Sequence, residues 1–195
     1  MTLLNPLKTI TTLWQKVLKG APESTPSVNE VAQCFDKFGH GAIVGMTGSG
    51  KTLFAEQLAQ ALSGCRVLIQ LEGPTPLGWN EAPFRGALLR NTSPRSSSDS
   101  QCGEDWDLED VLQARPEGLF VLRIPSFSTD KITREALSHT IERNYEKSGS
   151  SVRLSLFIDE SLRLVEENVL EQIARTGRKS NTCINLVLQH QYPPC

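Results

Sequence analysis

The sequence predicts an α/β fold, a mostly parallel β-sheet with helices on both faces. Two observations carry that reading. From Gly41 onward, short continuously apolar segments alternate with stretches of helical character. A glycine-rich turn also joins the first apolar segment to the first of those helices. Strands that are apolar on both sides belong to a sheet buried on both faces, and strand–helix alternation makes its pairings parallel.

The elements follow in order. Residues 3–19 place Leu3, Leu4, Leu7, Ile10, Leu13, Trp14, Val17 and Leu18 at helical spacing, with Lys8, Lys16 and Lys19 on the polar side. This segment is either a docking element for a partner or membrane surface, or a helix packed on its own domain. "GAPESTPS", residues 20–27, reads as a linker, which divides the chain into 1–27 and a domain over 28–195. A helix is expected over 28–38, a strand over 42–44 and a helix over 52–62 with Gly64 beyond its end. "RVLIQL" (66–71) and "GLFVLRI" (118–124) are strands, and 129–147 is a helix. "RLSLFI" (153–158) is a strand, 166–175 a helix and 182–188 the fifth strand. Residues 91–105, "NTSPRSSSDSQCGED", interrupt the alternation as a polar, serine-rich insertion of loop character.

Composition sets outer bounds. The 195 residues suffice for one mid-sized domain, and 38% hydrophobic content excludes a mostly disordered chain. No apolar run approaches the roughly 20 residues of a membrane span, and no secretion signal is evident. Net charge is −2, so there is no global attraction to nucleic acid. The five cysteines, Cys34, Cys65, Cys102, Cys183 and Cys195, are odd in number and lack C-x-x-C spacing. Neither a disulfide framework nor a zinc site is expected, and a reducing, cytoplasmic setting fits.

"GMTGSGKT" fits G-x-x-x-x-G-K-[ST] at every position, with a strand before it and a helix after. Gly45, Met46, Thr47, Gly48, Ser49, Gly50, Lys51 and Thr52 are thus the candidate phosphate-binding residues. Glycines let the backbone curl so that N–H groups point inward, and the helix N-terminus adds its dipole. Lys51 is expected at the β- and γ-phosphates of a nucleotide, and Thr52 at Mg²⁺. "LSLFIDES" puts Asp159 and Glu160 just after an apolar strand, where a parallel sheet presents residues to ligand. Asp159 is the second candidate Mg²⁺ residue, and Glu160 the candidate general base for water. An acidic pair after a strand can also cap a helix. Together with the phosphate motif it points to ATP hydrolysis, because a base that activates water is a liability in a kinase.

These residues resemble a family. "GHGAIVGMTGSGKT", with His40 ahead of the strand, "LFIDE" and "ARTGRKSNTCINLVLQHQ" are similar to the corresponding segments of the HerA/FtsK superfamily. Its members are RecA-like P-loop ATPases that move DNA in segregation, conjugation and genome packaging. The resemblance implies ATP and Mg²⁺ as cofactors, double-stranded DNA as partner, and a homo-oligomeric ring, a hexamer. It implies that the strand ending in Gln189 lies between the P-loop strand and the Asp159 strand, with Gln189 as γ-phosphate sensor. Arg175 or Arg178 becomes a candidate arginine finger for a neighbouring subunit; equally, each fits a solvated helix end. Glu72 is the one counterpart of an acidic residue that relatives often carry after the second strand. Relatives also continue past the sensor glutamine with a further strand and helix. Here Cys195 follows six residues after Gln189, so the sheet is expected to be short at its C-terminal end. Two other functions compete with a motor: a nucleotide-binding switch or assembly subunit, and a small-molecule kinase with the serine-rich segment as lid.

Overall fold

The computed structural model describes residues 26–71, 75–82, 84, 107–124, 131–146 and 151–189. The N-terminal segment 3–19, Glu72, the serine-rich stretch 91–105 and the residues after Gln189 lie outside them. Six strands form one sheet: β1 (Gly41–Gly45), β2 (Cys65–Leu71), β3 (Asn80–Glu81), β4 (Gly118–Ile124), β5 (Leu154–Asp159) and β6 (Thr182–Gln189). Their order is β1-β6-β5-β2-β4-β3 and every pairing is parallel. The sheet is of the expected class, and the last strand does lie between the P-loop strand and the Asp159 strand.

One face carries α1 (Val28–Phe38) and α2 (Lys51–Ala61). Ala32, Ile43, Ala55, Leu58, Leu68, Val121, Phe157 and Val187 pack together there. The other face carries α3 (Leu108–Ala114), α4 (Lys131–Tyr145), the single turn α5 (Ser161–Leu164) and α6 (Glu167–Thr176). Their apolar residues pack on Val67, Ile69, Leu122, Leu154, Leu156, Ile158 and Ile184. Burial on both faces explains why β5 reads as an unbroken apolar run rather than an alternating one.

Local chemistry starts and stops these elements. Ser27 caps α1 by accepting from the Glu30 N–H, while Glu30 accepts from the Ser27 N–H at 2.7 Å, a reciprocal box. Asp107 and Asp110 form the same box on α3. Gly64, at φ +86°, turns the chain from α2 into β2, and a Cβ there would meet the Arg153 carbonyl oxygen at 2.5 Å.

α1 is seated on the sheet through Phe35, whose ring fills the space a side chain at Gly41 would occupy: a Cβ would lie 2.2 Å from the ring. Gly41→Ala is therefore expected to cost about 1–3 kcal/mol by overpacking. Urea unfolding measures it; an unchanged midpoint would mean that α1 yields freely.

The end of the sheet where the strands begin is held by polar side chains. Arg115, fully buried at φ 50°, donates to Ser180 O at 2.6 Å, Tyr145 O at 2.9 Å and Thr182 Oγ1 at 3.1 Å. His40 Nδ1 accepts the Ile184 N–H at 3.1 Å, which joins the start of β1 to β6. That bond needs a neutral ring, and burial, with Arg178 and Arg153 nearby, holds the His40 pKa below its usual value. Cys34, Cys65 and Cys183 are free thiols, and burial pushes Cys65 up to about 12. Among the described residues no helix is long and apolar enough to cross a membrane.

Candidate phosphate and metal site

The site lies where the strands end. β1 closes at Gly45, and the chain turns through Gly48 and Gly50, at φ +77° and +81°, before α2 begins at Lys51. No atoms crowd these two glycines, so their requirement is conformational. Gly45 is different: a Cβ there would meet Ser49 Oγ at 2.6 Å, so the loop closes tightly on the strand. The N-cap of α2 is Gly50, which brings no side chain to its first N–H groups. Those donors remain directed out of the helix end, where an anion is favoured. Lys51 Nζ donates to Met46 O at 2.8 Å, so the side chain folds back over the exposed loop.

The second half comes from β5 and β6. Thr52 Oγ1 donates to Asp159 Oδ2 at 2.6 Å, which joins the first turn of α2 to the end of β5 across 107 residues. A hydroxyl and a carboxylate oxygen this close are a hard-oxygen pair of the kind that Mg²⁺ takes beside substrate phosphates. Glu160 follows in the left-handed region at φ 49°, and its N–H donates to Asp159 Oδ1 at 3.0 Å. The Glu160 carboxylate pairs with Arg163 of α5. Register places Gln189 opposite Gly45, and its Nε2 donates to Thr47 Oγ1 at 2.5 Å.

The structure thus gathers the phosphate loop, Lys51, Thr52, Asp159, Glu160 and Gln189 at one end of the sheet. Arg175 and Arg178 are not among them. α6 runs away from this end, and both arginines lie by the start of β6, roughly 15–20 Å away across the strand length. Arg175 is exposed and pairs with Glu171 at 2.5 Å, while Arg178 lies along Gly39 with Nε 3.3 Å from where a Cβ would sit. His40, part of the resembling segment, is likewise at the far end and acts on the strand pairing.

Two residues near the site escape a reading of the sequence. Arg163 carries a weak signal, Glu and Arg spaced i and i+3. Gln70, buried at the end of β2, lies on the strand next to Asp159 and has no signal beyond its place in an apolar run.

A model of the AAA domain family matches residues 36–193. Among curated proteins, none matches this chain.

Proposed function

The chain belongs to the AAA domain family of P-loop ATPases, and on that premise we propose that it binds and hydrolyses ATP at the site above. The observation that carries the reading is the Thr52–Asp159 bond, which puts the phosphate loop and the acidic strand end in direct contact. Mg²⁺, held by Thr52 and Asp159 when bound, supplies neutralisation of phosphate charge. The loop N–H groups and Lys51 bind the β- and γ-phosphates. Glu160 accepts a proton from water as its oxygen attacks the γ-phosphorus; the β–γ bridging bond breaks, and ADP and inorganic phosphate leave. Gln189, one strand from Asp159, orients the γ-phosphate or that water through its amide.

The test is Mg·ATP binding and turnover by the wild type and Lys51→Ala. Removing the ammonium is expected to weaken binding at least tenfold and to abolish measurable turnover. A variant that binds and hydrolyses like the wild type would remove the loop from the reaction.

The resemblance of the segments around Gly45, Asp159 and Gln189 to the HerA/FtsK superfamily supports a finer reading, in which turnover drives movement of double-stranded DNA through a homo-oligomeric ring. Turnover that rises with duplex DNA, in a particle of hexameric mass, is its signature. In such a ring Arg175, exposed at the far end of the sheet, is better placed to reach a neighbour than Arg178, which lies along Gly39. The Glu160–Arg163 pair favours a second reading, a slow nucleotide switch, since it engages the group that would activate water. Nucleotide binding by a monomer with negligible turnover, with or without DNA, is the outcome that selects it.

A further inference from the structure

The Glu160 carboxylate already has a partner. Its ion pair is with the Arg163 guanidinium, three residues along, and the Arg163 N–H donates to Glu160 O at 2.8 Å. The left-handed turn at Glu160 bends the chain directly from β5 into α5, so carboxylate and guanidinium meet across one turn. That turn is fixed from below. Ser161 and Leu164 are buried, and Leu164 and Val165 belong to the core beneath the sheet. No other basic side chain forms an ion pair with Glu160 among the described residues.

We infer that Arg163 is a positioning residue that restrains Glu160 and sets the rate of hydrolysis. A carboxylate oxygen committed to a guanidinium is turned toward α5 and competes poorly for a water proton. Turnover then requires the pair to open, and anything that draws Arg163 away, such as an acidic group on a partner, accelerates it. The inference rests on Glu160 being the general base.

Three variants of the full chain test it: Arg163→Ala, Arg163→Lys and Glu160→Gln. The pair is partly exposed, with side-chain exposure of 32% for Glu160 and 59% for Arg163, so the restraint is modest. Arg163→Ala is expected to raise kcat about two- to fivefold with KM for ATP unchanged. Arg163→Lys, which keeps the charge, should stay near the wild-type rate. Raising salt should bring wild-type kcat toward that of Arg163→Ala and leave the alanine variant flat, because exposed pairs are screened. A structural role alone would move stability and KM, not produce a faster enzyme rescued by lysine.

An Arg163→Ala rate equal to or below wild type overturns the inference. If the wild type binds and hydrolyses Mg·ATP and Glu160→Gln stops it, that result leaves the proposed function standing and removes only the restraint. If the wild type binds a fluorescent ATP analogue without measurable turnover, a restraint of this size cannot be what silences it, and the inference is overturned while nucleotide binding stands. A wild type that neither binds nor hydrolyses overturns both.

Discussion

Glu160→Gln is expected to lower ATP turnover by about 100- to 10,000-fold while Mg·ATP binding stays within a few-fold of wild type. Glutamine keeps the shape and hydrogen-bonding reach of glutamate but cannot take a proton. The groups proposed to hold nucleotide and metal, namely the loop N–H donors, Lys51, Thr52 and Asp159, are not altered. The backbone bond from Glu160 N–H to Asp159 Oδ1 also survives, so the Asp159 carboxylate should keep its orientation. The change does remove the ion pair to Arg163, an exposed contact of small energy, and should leave thermal stability nearly unchanged. Equilibrium binding with a fluorescent analogue and a phosphate-release assay separate the two effects. Turnover within tenfold of wild type would assign the proton to another group.

The second large effect concerns stability. Arg115→Met should destabilise the domain by about 3 kcal/mol, the scale of several charge-assisted hydrogen bonds lost together. Arg115 is fully buried and ties Tyr145 at the end of α4, Ser180 ahead of β6 and Thr182 within it to the turn between α3 and β4. Burial pushes its pKa down, yet a guanidinium remains charged, and the carbonyls around it supply the compensation. Methionine fills much of the volume but leaves Tyr145 O and Ser180 O without that donor. Lysine keeps the charge but donates from a single nitrogen, without the fork that reaches all three acceptors, so Arg115→Lys should recover only part of the loss. For a domain of this size the methionine variant should melt about 6–12 °C lower. A shift under 2 °C would show that water replaces the guanidinium at no cost.

Much of this architecture is legible in the residues, for physical reasons. The strand at 118–124 and the helix at 28–38 have the bounds their apolar pattern predicts. Strands β1, β2, β5 and β6 and the helices α2, α4 and α6 differ from expectation by one or two residues at their ends, where caps rather than periodicity decide, whereas the two-residue edge strand β3 is too short to be read from any pattern. "GMTGSGKT" carries its own geometry, because its glycines permit a conformation that few other sequences adopt. Strand order is not in the pattern; the insertion of β6 beside β1 comes from the resemblance. α3 went unread beside the polar insertion, although its reciprocal Asp107–Asp110 cap and the Leu108, Val111, Leu112 spacing announce it. α5 and the short 3₁₀ turn Gly177–Ser180 are each a single turn, too brief for any periodicity. Arg115 could not be read at all. An arginine between a helix and a strand looks solvated, and only the convergence of three distant segments buries it.

The insertion of β6 between β1 and β5 has a consequence for how the protein comes into being. The bond that brings Gln189 to Thr47 spans 142 residues. On the ribosome, the loop that is to hold a nucleotide emerges roughly ten to thirty seconds before the strand that completes its wall. Until then β1 and β5 have an empty lane between them, and such distant pairings are slow to close. The nucleotide site therefore matures only after β6 has been made and seated. A nucleotide that favours the finished site also favours the seating of β6, so a bound nucleotide should act as a folding ligand as well as an occupant of the site.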